Sequence, residues 1–309
     1  MKAAYLVTQS GPDSLIYGEV PKPSPRAGEV LVKVHATAVM PTELLWYPTF
    51  KLPSGEPRSF PVILSHEFSG VVESLGNGVQ NVKVGDSVYG LNDWFSNGAQ
   101  AEFCVVSATG LTAKPKSIPF TQAAITPISA LTAWQGLFEK GRTERGQRVL
   151  IHGGAGAVGS LAVQLARWKG AHVIATAGSS HVDYVRSLGA DEVIDYRTTR
   201  FERVARDMNV VFDTVGGETL KKSLEILRPA GRIVTVATTS ESTTDQRIRD
   251  AFLLVRADGA QLAELANLID RGVLQVLVAG IFPLSQAREA YARAAKGGLR
   301  GKIALRVAA

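Results

Sequence analysis

The alternation of apolar and polar positions along the chain changes character near residue 121. Before it, short alternating segments such as 29–36 and 68–75 predict half-buried strands, and glycines including Gly70 and Gly90 are expected to mark the turns between strands. After it, apolar runs of strand length alternate with stretches of helical periodicity. This second pattern predicts βαβ crossovers and a parallel, doubly wound sheet. The expected fold class is therefore α/β, with a β-rich domain and a doubly wound domain.

The second region supplies a series of predicted strands with helices between them. The strands are expected at Val149–His152, His172–Ala175, Glu192–Ile194, Val210–Asp213, Arg232–Ala237 and Phe252–Val255. The helices are expected at Ser160–Lys169, Val182–Leu188, Glu218–Leu227 and Gln261–Arg271. The final segment, 301–307, is again strand-like, and we expect it to return to the first domain. The predicted domains are then 1–120 with 257–309, and 121–256.

The most informative motif lies directly after the first of these predicted strands. Gly154, Gly156 and Gly159 have G-x-G-x-x-G spacing and open a helix. In such a loop the first glycine permits a tight turn, the second lets a pyrophosphate approach the backbone, and the third lets helix and strand pack closely. The helix N-terminus offers unpaired N–H groups to the phosphates. A glycine-rich turn without a ligand is the alternative, but the strand–loop–helix context favours dinucleotide binding.

The segment after the second predicted strand indicates which dinucleotide binds. Enzymes that prefer NAD place an acidic residue about 20 residues past the glycines, to bind the ribose hydroxyls. No acidic residue occurs between Thr176 and His181. Ser179 in this segment, with Tyr196 and Arg197 after the third strand, can instead contact a ribose 2′-phosphate. We therefore expect NADP(H), although each residue taken singly is also an ordinary loop residue.

Composition and charge exclude several classes of protein. Apolar residues make up 45% of the chain and charged residues 20%, as in ordinary globular proteins. The net charge of +6 comes from scattered basic residues without interleaved aromatics, so we expect no nucleic-acid partner. No run approaches the roughly 18 apolar residues of a membrane helix, and the N-terminus lacks the apolar core of a signal peptide. Cys104 is the single cysteine, so no intrachain disulfide can form, and we expect a cytoplasmic protein.

Ordered motifs along nearly the whole chain carry a family resemblance. They are Pro25–Val34, Pro61–Val72, Val84–Gly90, Gly98–Phe103, Ala130–Gln135, the glycine loop, Leu188–Asp191, Asp213–Gly217 and Gly301–Ile303. Together they resemble the zinc-independent quinone and enone reductase branch of the medium-chain dehydrogenase/reductase superfamily. The resemblance implies a GroES-like catalytic domain, an inserted Rossmann domain and a cofactor in the cleft between them. It also implies a homodimer.

The resemblance raises the question of zinc, which the alcohol-dehydrogenase branch uses. A catalytic zinc needs three protein ligands, and a structural zinc needs four. Met40 stands where the first catalytic Cys of that branch would fall, and the second would lie near Ile128. His66 and Glu67 remain, and the four-cysteine structural lobe is absent. We therefore expect no metal, with His66 as a structural residue.

Without a Lewis acid, the favoured acceptors are those whose conjugation spreads the incoming charge. The predicted function is NADPH-dependent transfer of hydride to a quinone or an α,β-unsaturated carbonyl. Two alternatives stay open. One is a zinc-free carbonyl or alcohol oxidoreductase, and the other is a dinucleotide-binding sensor without useful turnover.

The candidate site residues form two groups. The substrate group comprises Met40, Glu43, Trp46, Tyr47, Trp94 and Phe95. Within it, 40–43 is the segment where relatives often carry Asn-Pro-x-Asp. Tyr47 and Glu43 are the catalytic candidates, although solvent can also supply the proton. The alternative is that the aromatic residues only pack the β-rich domain and that Glu43 pairs with a nearby cation. The cofactor group comprises Gly154, Gly156, Ala157, Val158 and Gly159 for the pyrophosphate, Ser179, Tyr196 and Arg197 for the 2′-phosphate, and Thr132, Val215, Ala237 and Val255 near the nicotinamide. Val182 replaces a lysine that many relatives place after the serine, which weakens the expectation of NADP(H).

Overall fold

The computed structural model describes residues 1–237 and 244–307, which fall into two compact units. Unit 1 comprises Met1–Ile128, Ala257–Gly272 and Val276–Ala309, and unit 2 comprises Ser129–Arg256 and Val273–Gln275. The predicted division differs from these bounds at two places. Residues 121–128 belong to unit 1, where the Ile128 N–H donates to the Glu67 carboxylate at 2.9 Å. Residues 273–275 belong to unit 2, because the Gln164 side-chain amide binds both backbone groups of Gln275.

Unit 1 is built on sheets of short strands, as the alternating pattern predicts. Its strands are β1 (Lys2–Leu6), β2 (Leu15–Glu19), β3 (Glu29–Ala38), β4 (Val62–Ile63), β5 (Glu67–Leu75), β6 (Ser87–Leu91), β7 (Phe103–Ser107) and β8 (Leu111–Ala113). Strand β3 pairs with β5 over most of its length, and also with β7, all antiparallel. A smaller sheet has the order β2-β1-β4.

The C-terminal segment completes unit 1 as predicted. Two late strands, which we number β14 (Val278–Pro283) and β15 (Lys302–Arg306), join the large sheet, and β15 pairs antiparallel with β3 at Ala36–Ala38. The helices of the unit are α1 (Tyr47–Phe50), α2 (Phe120–Ala124), α9 (Gly259–Asp270) and α10 (Ala287–Ala295). One core cluster contains the fully buried Leu6, Leu64, Tyr291 and Leu305, so helix α10 shares a core with β1 and β15.

The predicted turns at Gly70 and Gly90 are wrong. Gly70 lies inside β5 and Gly90 inside β6. A Cβ at Gly70 would stand 2.1 Å from the Lys33 carbonyl oxygen, and one at Gly90 would stand 2.7 Å from that of Gly110. These glycines are needed because neighbouring backbone approaches closely, which is another established use of glycine in a strand.

Unit 2 is a doubly wound parallel sheet, which confirms the predicted fold class. Its strands are β9 (Arg148–Ile151), β10 (His172–Ala177), β11 (Glu192–Asp195), β12 (Met208–Asp213) and β13 (Leu227–Thr235). They pair in parallel in the order β11-β10-β9-β12-β13. The helices are α3 (Pro127–Trp134, which begins in unit 1), α4 (Ala157–Lys169), α5 (Val182–Ser187), α6 (Phe201–Val204), α7 (Gly217–Ser223) and α8 (Gln246–Ala251). Apolar residues such as Leu150, Ile174 and Val211 are buried in the sheet.

Two predicted elements of unit 2 are corrected. Phe252–Val255 is not a strand, because α8 continues to Ala251 and the backbone that follows makes one parallel bridge, from Phe252 to Thr235. Helix α7 ends at Ser223 instead of Leu227, and β13 begins already at Leu227. The residue before a proline favours extended backbone, and Pro229 follows in this segment.

Candidate cofactor and substrate sites

The glycine loop lies at the carboxyl end of β9, in the centre of the parallel sheet. The left-handed residue of its tight turn is Gly153, with φ 74°, and not Gly154 as predicted. Gly154 is needed for space, since a Cβ there would stand 3.0 Å from Ala175 Cβ and 3.1 Å from Val185 Cγ1. The Gly154 N–H donates to the Thr176 carbonyl at 2.9 Å, which fixes the loop to the end of β10.

The other two glycines have different roles: one is needed for close packing, and the other leaves the helix end exposed. A Cβ at Gly159 would stand 2.1 Å from the Gly153 carbonyl oxygen, so the third glycine provides the close helix packing that the sequence predicts. Gly156 is the exposed N-cap of α4, and a Cβ there would meet nothing nearer than that same oxygen, at 3.4 Å. No side chain caps the helix and its first turn holds no acidic residue. The partly exposed Ala157 and Val158 begin a helix end that suits a phosphate.

A buried histidine supports the loop from below, and sequence analysis gave it no role. The Gly153 N–H donates to Thr176 Oγ1 at 3.1 Å, which directs the Thr176 hydrogen towards His152 Nδ1 at 3.3 Å. His152 Nε2 donates to Ser223 Oγ at 2.9 Å, and that hydroxyl donates to the Thr219 carbonyl. Burial lowers the pKa of His152 to about 4. A neutral, Nε2-protonated imidazole therefore ties the glycine loop to helix α7.

The residues predicted for the 2′-phosphate are brought together at the ends of β10 and β11. Ser179 follows β10, and Tyr196 and Arg197 follow β11. A Cβ at Gly178 would stand 3.2 Å from Tyr196 Oη and 3.7 Å from Arg197 Nε. Asp195, which the sequence pattern did not indicate, also belongs to this group, and its carboxylate accepts a bond from the Arg197 N–H at 2.9 Å. The nearby Ser179 hydroxyl and the Arg197 N–H lower the pKa of Asp195, so the group carries a negative charge at neutral pH.

The residues expected near the nicotinamide all belong to unit 2 but differ in exposure. Val215 and Ala237 follow β12 and β13, Thr132 is buried in α3, and Val255 is buried beyond α8. Val215 is 55% exposed. Its loop is held by the buried Asp213, which accepts bonds from the Val215 and Gly216 N–H groups and from the Thr235 hydroxyl.

The aromatic substrate candidates form a cluster in unit 1. Trp46 and Trp94 meet edge to face at 5.1 Å between ring centroids, and His66 lies 5.1 Å from Trp94. Tyr47 and Phe95 meet edge to face at 6.5 Å. The Tyr47 hydroxyl donates to the Leu52 carbonyl at 3.3 Å. We call these four aromatic residues with His66 the aromatic cluster.

Glu43 is fully buried beneath this cluster. Its carboxylate accepts bonds from the Ser65 N–H at 2.8 Å, from the His66 N–H at 3.3 Å and from His66 Nδ1 at 3.0 Å. Ser65 has φ 62°, a left-handed conformation that is unfavourable for a residue with a side chain. These contacts make Glu43 the anchor of the Ser65–His66 turn. Met40, which begins the same segment, is half-buried.

A second buried carboxylate, Glu67, directly follows the Ser65–His66 turn in sequence. Glu67 is fully buried, pairs with Lys302 of β15 and accepts a bond from the Ile128 N–H at 2.9 Å. Burial raises the pKa of Glu67, and the Lys302 ammonium opposes that rise. The pair joins the start of β5 to the C-terminal strand.

Comparisons with known proteins agree with this architecture. Residues 26–116 match the family described as alcohol dehydrogenase GroES-like domain, and residues 188–305 match zinc-binding dehydrogenase. The chloroplastic quinone-oxidoreductase QR1 of Triphysaria versicolor is 33% identical, over 95% of this chain and 94% of that protein. The chain belongs to the medium-chain dehydrogenase/reductase superfamily. It is an oxidoreductase with quinone oxidoreductase relatives.

Solved structures extend the comparison within the medium-chain dehydrogenase/reductase superfamily. A quinone oxidoreductase from Coxiella burnetii is similar with a TM-score of 0.90 and 32% identity, covering 100% of this chain and 99% of that one. A mycobacterial protein complexed with NADPH has a TM-score of 0.83 and 27% identity, covering 99% of this chain and 100% of that one. Units 1 and 2 are therefore the GroES-like and Rossmann-like domains of this medium-chain dehydrogenase/reductase.

Two findings concern metal and membrane. Among residues 1–237 and 244–307, no three His, Cys, Asp or Glu side chains group as metal ligands. Within the same ranges, no helix is long and apolar enough to cross a membrane.

Proposed function

We propose that this protein transfers hydride from NADPH to a quinone or an α,β-unsaturated carbonyl, without zinc. The observation that carries the proposal is the glycine loop, whose uncapped helix end at Gly156 leaves room for a pyrophosphate. The quinone oxidoreductase relatives support the acceptor class. The expected cytoplasmic location and homodimer belong to the same proposal, and cell fractionation and mass measurement in solution test them.

The absence of zinc is argued from the ligand set. A catalytic zinc needs three protein ligands and an open position. Met40 supplies no thiolate where the resemblance expects one. Among residues 1–237 and 244–307 no three His, Cys, Asp or Glu side chains group as metal ligands, so His66, whose Nε2 has no hydrogen-bond partner, lacks the further ligands that a catalytic zinc needs. Glu67 is paired with Lys302. Without a Lewis acid at the oxygen, an acceptor that delocalises the added charge is favoured over a simple ketone.

NADPH as the reductant is supported by the residues around Gly178. The Tyr196 hydroxyl and the Arg197 guanidinium both stand against this glycine, where they offer a donor and a positive charge to a 2′-phosphate. A similar structure contains NADPH. Val182 in place of the lysine of many relatives makes the expected preference over NADH a moderate one.

The bound nicotinamide supplies the hydride, and the chain supplies binding and orientation. The helix end at Gly156 binds the pyrophosphate, and His152 holds Thr176 and Gly153 in place beneath it. In the other domain, the aromatic cluster offers flat faces and edges on which a planar acceptor can stack. The proton that follows comes from solvent or from Tyr47, whose side chain is 48% exposed.

The test is NADPH oxidation, followed by ultraviolet absorbance, with a benzoquinone, a naphthoquinone, an acyclic enone and a saturated ketone, and with NADH in parallel. Turnover with the quinones or the enone, faster with NADPH, is the expected result. Turnover with the ketone alone would instead show a zinc-free carbonyl or alcohol oxidoreductase. Tyr47→Phe separates the two proton sources, because a solvent proton leaves its rate unchanged.

A dinucleotide-binding sensor without useful turnover is the second candidate. It is favoured by Met40 in place of the asparagine of many relatives and by the complete burial of Glu43. Cofactor binding, seen as quenching of tryptophan fluorescence, without turnover of any acceptor in the panel would establish this alternative.

A further inference from the structure

The segment after β10 lacks a carboxylate, but the neighbouring strand β11 ends in one, Asp195. Sequence analysis found no acidic residue between Thr176 and His181, where NAD-preferring enzymes place one. In the parallel pairing of β10 with β11, however, Ala177 stands directly beside Asp195. Both strands end at the same edge of the sheet, so Asp195 lies beside the segment that follows Ala177.

Contacts at this edge place the carboxylate among the residues predicted for the ribose site. The Arg197 N–H donates to Asp195 Oδ1 at 2.9 Å, and the Tyr196 N–H donates to the Ala177 carbonyl at 3.1 Å. The predicted phosphate contacts Tyr196 and Arg197 surround the same Gly178. One small site therefore holds a positive and a negative group side by side.

We propose that Asp195 is a specificity-determining residue that accepts the adenosine ribose hydroxyls of NADH and limits the preference for NADPH. The inference rests on the proposed function, because it needs a nicotinamide cofactor at the glycine loop. A carboxylate accepts bonds from a ribose diol and repels a 2′-phosphate dianion. Arg197 and Tyr196 favour that phosphate, so the two effects oppose each other and both cofactors bind.

The test is the ratio of the dissociation constants of NADPH and NADH, measured by titration of the wild type and of Asp195→Asn. Asparagine keeps the shape of the side chain and an oxygen for the Arg197 N–H but removes the charge. We expect the ratio to shift about tenfold towards NADPH, as for removal of one charge near a partly exposed phosphate. The fragments 2′,5′-ADP and 5′-AMP should shift in the same way, which locates the effect at the ribose.

The matched control is Glu225→Gln, which removes one exposed negative charge from the same domain. Glu225 lies in a short turn before β13, at the amino edge of the sheet and away from the loop edge. This variant should leave the ratio unchanged. An equal shift in both variants would show that net charge, and not Asp195, sets the preference.

The outcomes separate the inference from the function on which it depends. Binding of neither cofactor to the wild type overturns the proposed function. Binding of both with the same ratio in wild type and Asp195→Asn overturns the role of Asp195 and leaves the function intact. The ratio is measured on one sample, so it does not depend on the folded fraction. Asp195→Ala, which also removes the charge, must shift it in the same direction.

Discussion

Removal of Lys302 exposes the energetic role of the buried ion pair with Glu67. Lys302→Met keeps an apolar stem of similar length but leaves a fully buried carboxylate without its cation. Breaking a buried pair in this way destabilises a protein by about 4 kcal/mol. The contact from the Ile128 N–H, at 2.9 Å, remains and offsets part of that loss. We expect the free energy of unfolding of the GroES-like domain to fall by about 3 kcal/mol.

The loss depends on pH in a defined direction. Without the ammonium, burial raises the pKa of Glu67 further, because the cation is the main group that opposes the rise. A carboxyl whose folded pKa is raised contributes stability below its unfolded pKa, and that stability is lost as pH rises through the folded pKa. The variant should therefore approach the wild type in acid and depart from it towards alkaline pH.

The assay is urea unfolding followed by the fluorescence of Trp46 and Trp94, the tryptophans of unit 1. Substitution of Trp134 and Trp168 by Phe removes the signal of unit 2. Glu67→Gln combined with Lys302→Met should recover most of the stability that Lys302→Met loses and abolish the pH dependence of that loss, because neither residue of the pair is then charged.

The exposed pair of Lys2 and Glu19, at 3.0 Å, provides the control. Lys2→Met should leave the free energy of unfolding unchanged, because exposed ion pairs contribute little. A loss below about 1 kcal/mol in Lys302→Met at alkaline pH would refute the argument from burial. A loss that does not vary with pH would refute the assignment to Glu67.

Three further predictions concern the Rossmann-like domain and the cysteine. Gly156→Ala should fold normally and bind cofactor at least tenfold more weakly, because the methyl group has room in the protein but not beside a pyrophosphate. Gly159→Ala should lower the melting temperature as well, and equal melting temperatures of the two variants would contradict these different roles of the two glycines. His152 stays neutral when folded, so the wild type should lose about 3 kcal/mol of stability as pH falls from 6.5 to about 4, and a urea titration should show a shallower loss in His152→Gln. Burial raises the pKa of the Cys104 thiol, so a thiol reagent should label it only after unfolding, and rapid labelling of the folded protein would contradict its burial.

Local patterns were sufficient for the architecture. The parallel sheet, the loop at Gly154–Gly159 and the return of the C-terminal strand to the first domain all follow from periodicity and motif order. These features depend on residues close in sequence, or on the repeated alternation of strands and helices, whose apolar faces are buried in one arrangement of layers. The errors of detail arose where a neighbouring segment decided the outcome. Gly70 and Gly90 are turn residues by type, but their position inside strands is fixed by the backbone that packs against them.

Only the tertiary structure determined which partners the carboxylates at these sites have. Asp195 lies near Ser179 because of the register of β10 and β11. The sequence motif, in contrast, concerns only the segment directly after β10. Glu43, a candidate for catalysis by sequence, anchors His66, which lies 23 residues away, and Glu67 finds Lys302 across 235 residues. A buried carboxylate needs a partner wherever the fold places one, and strand register and burial, which no local pattern encodes, choose that partner.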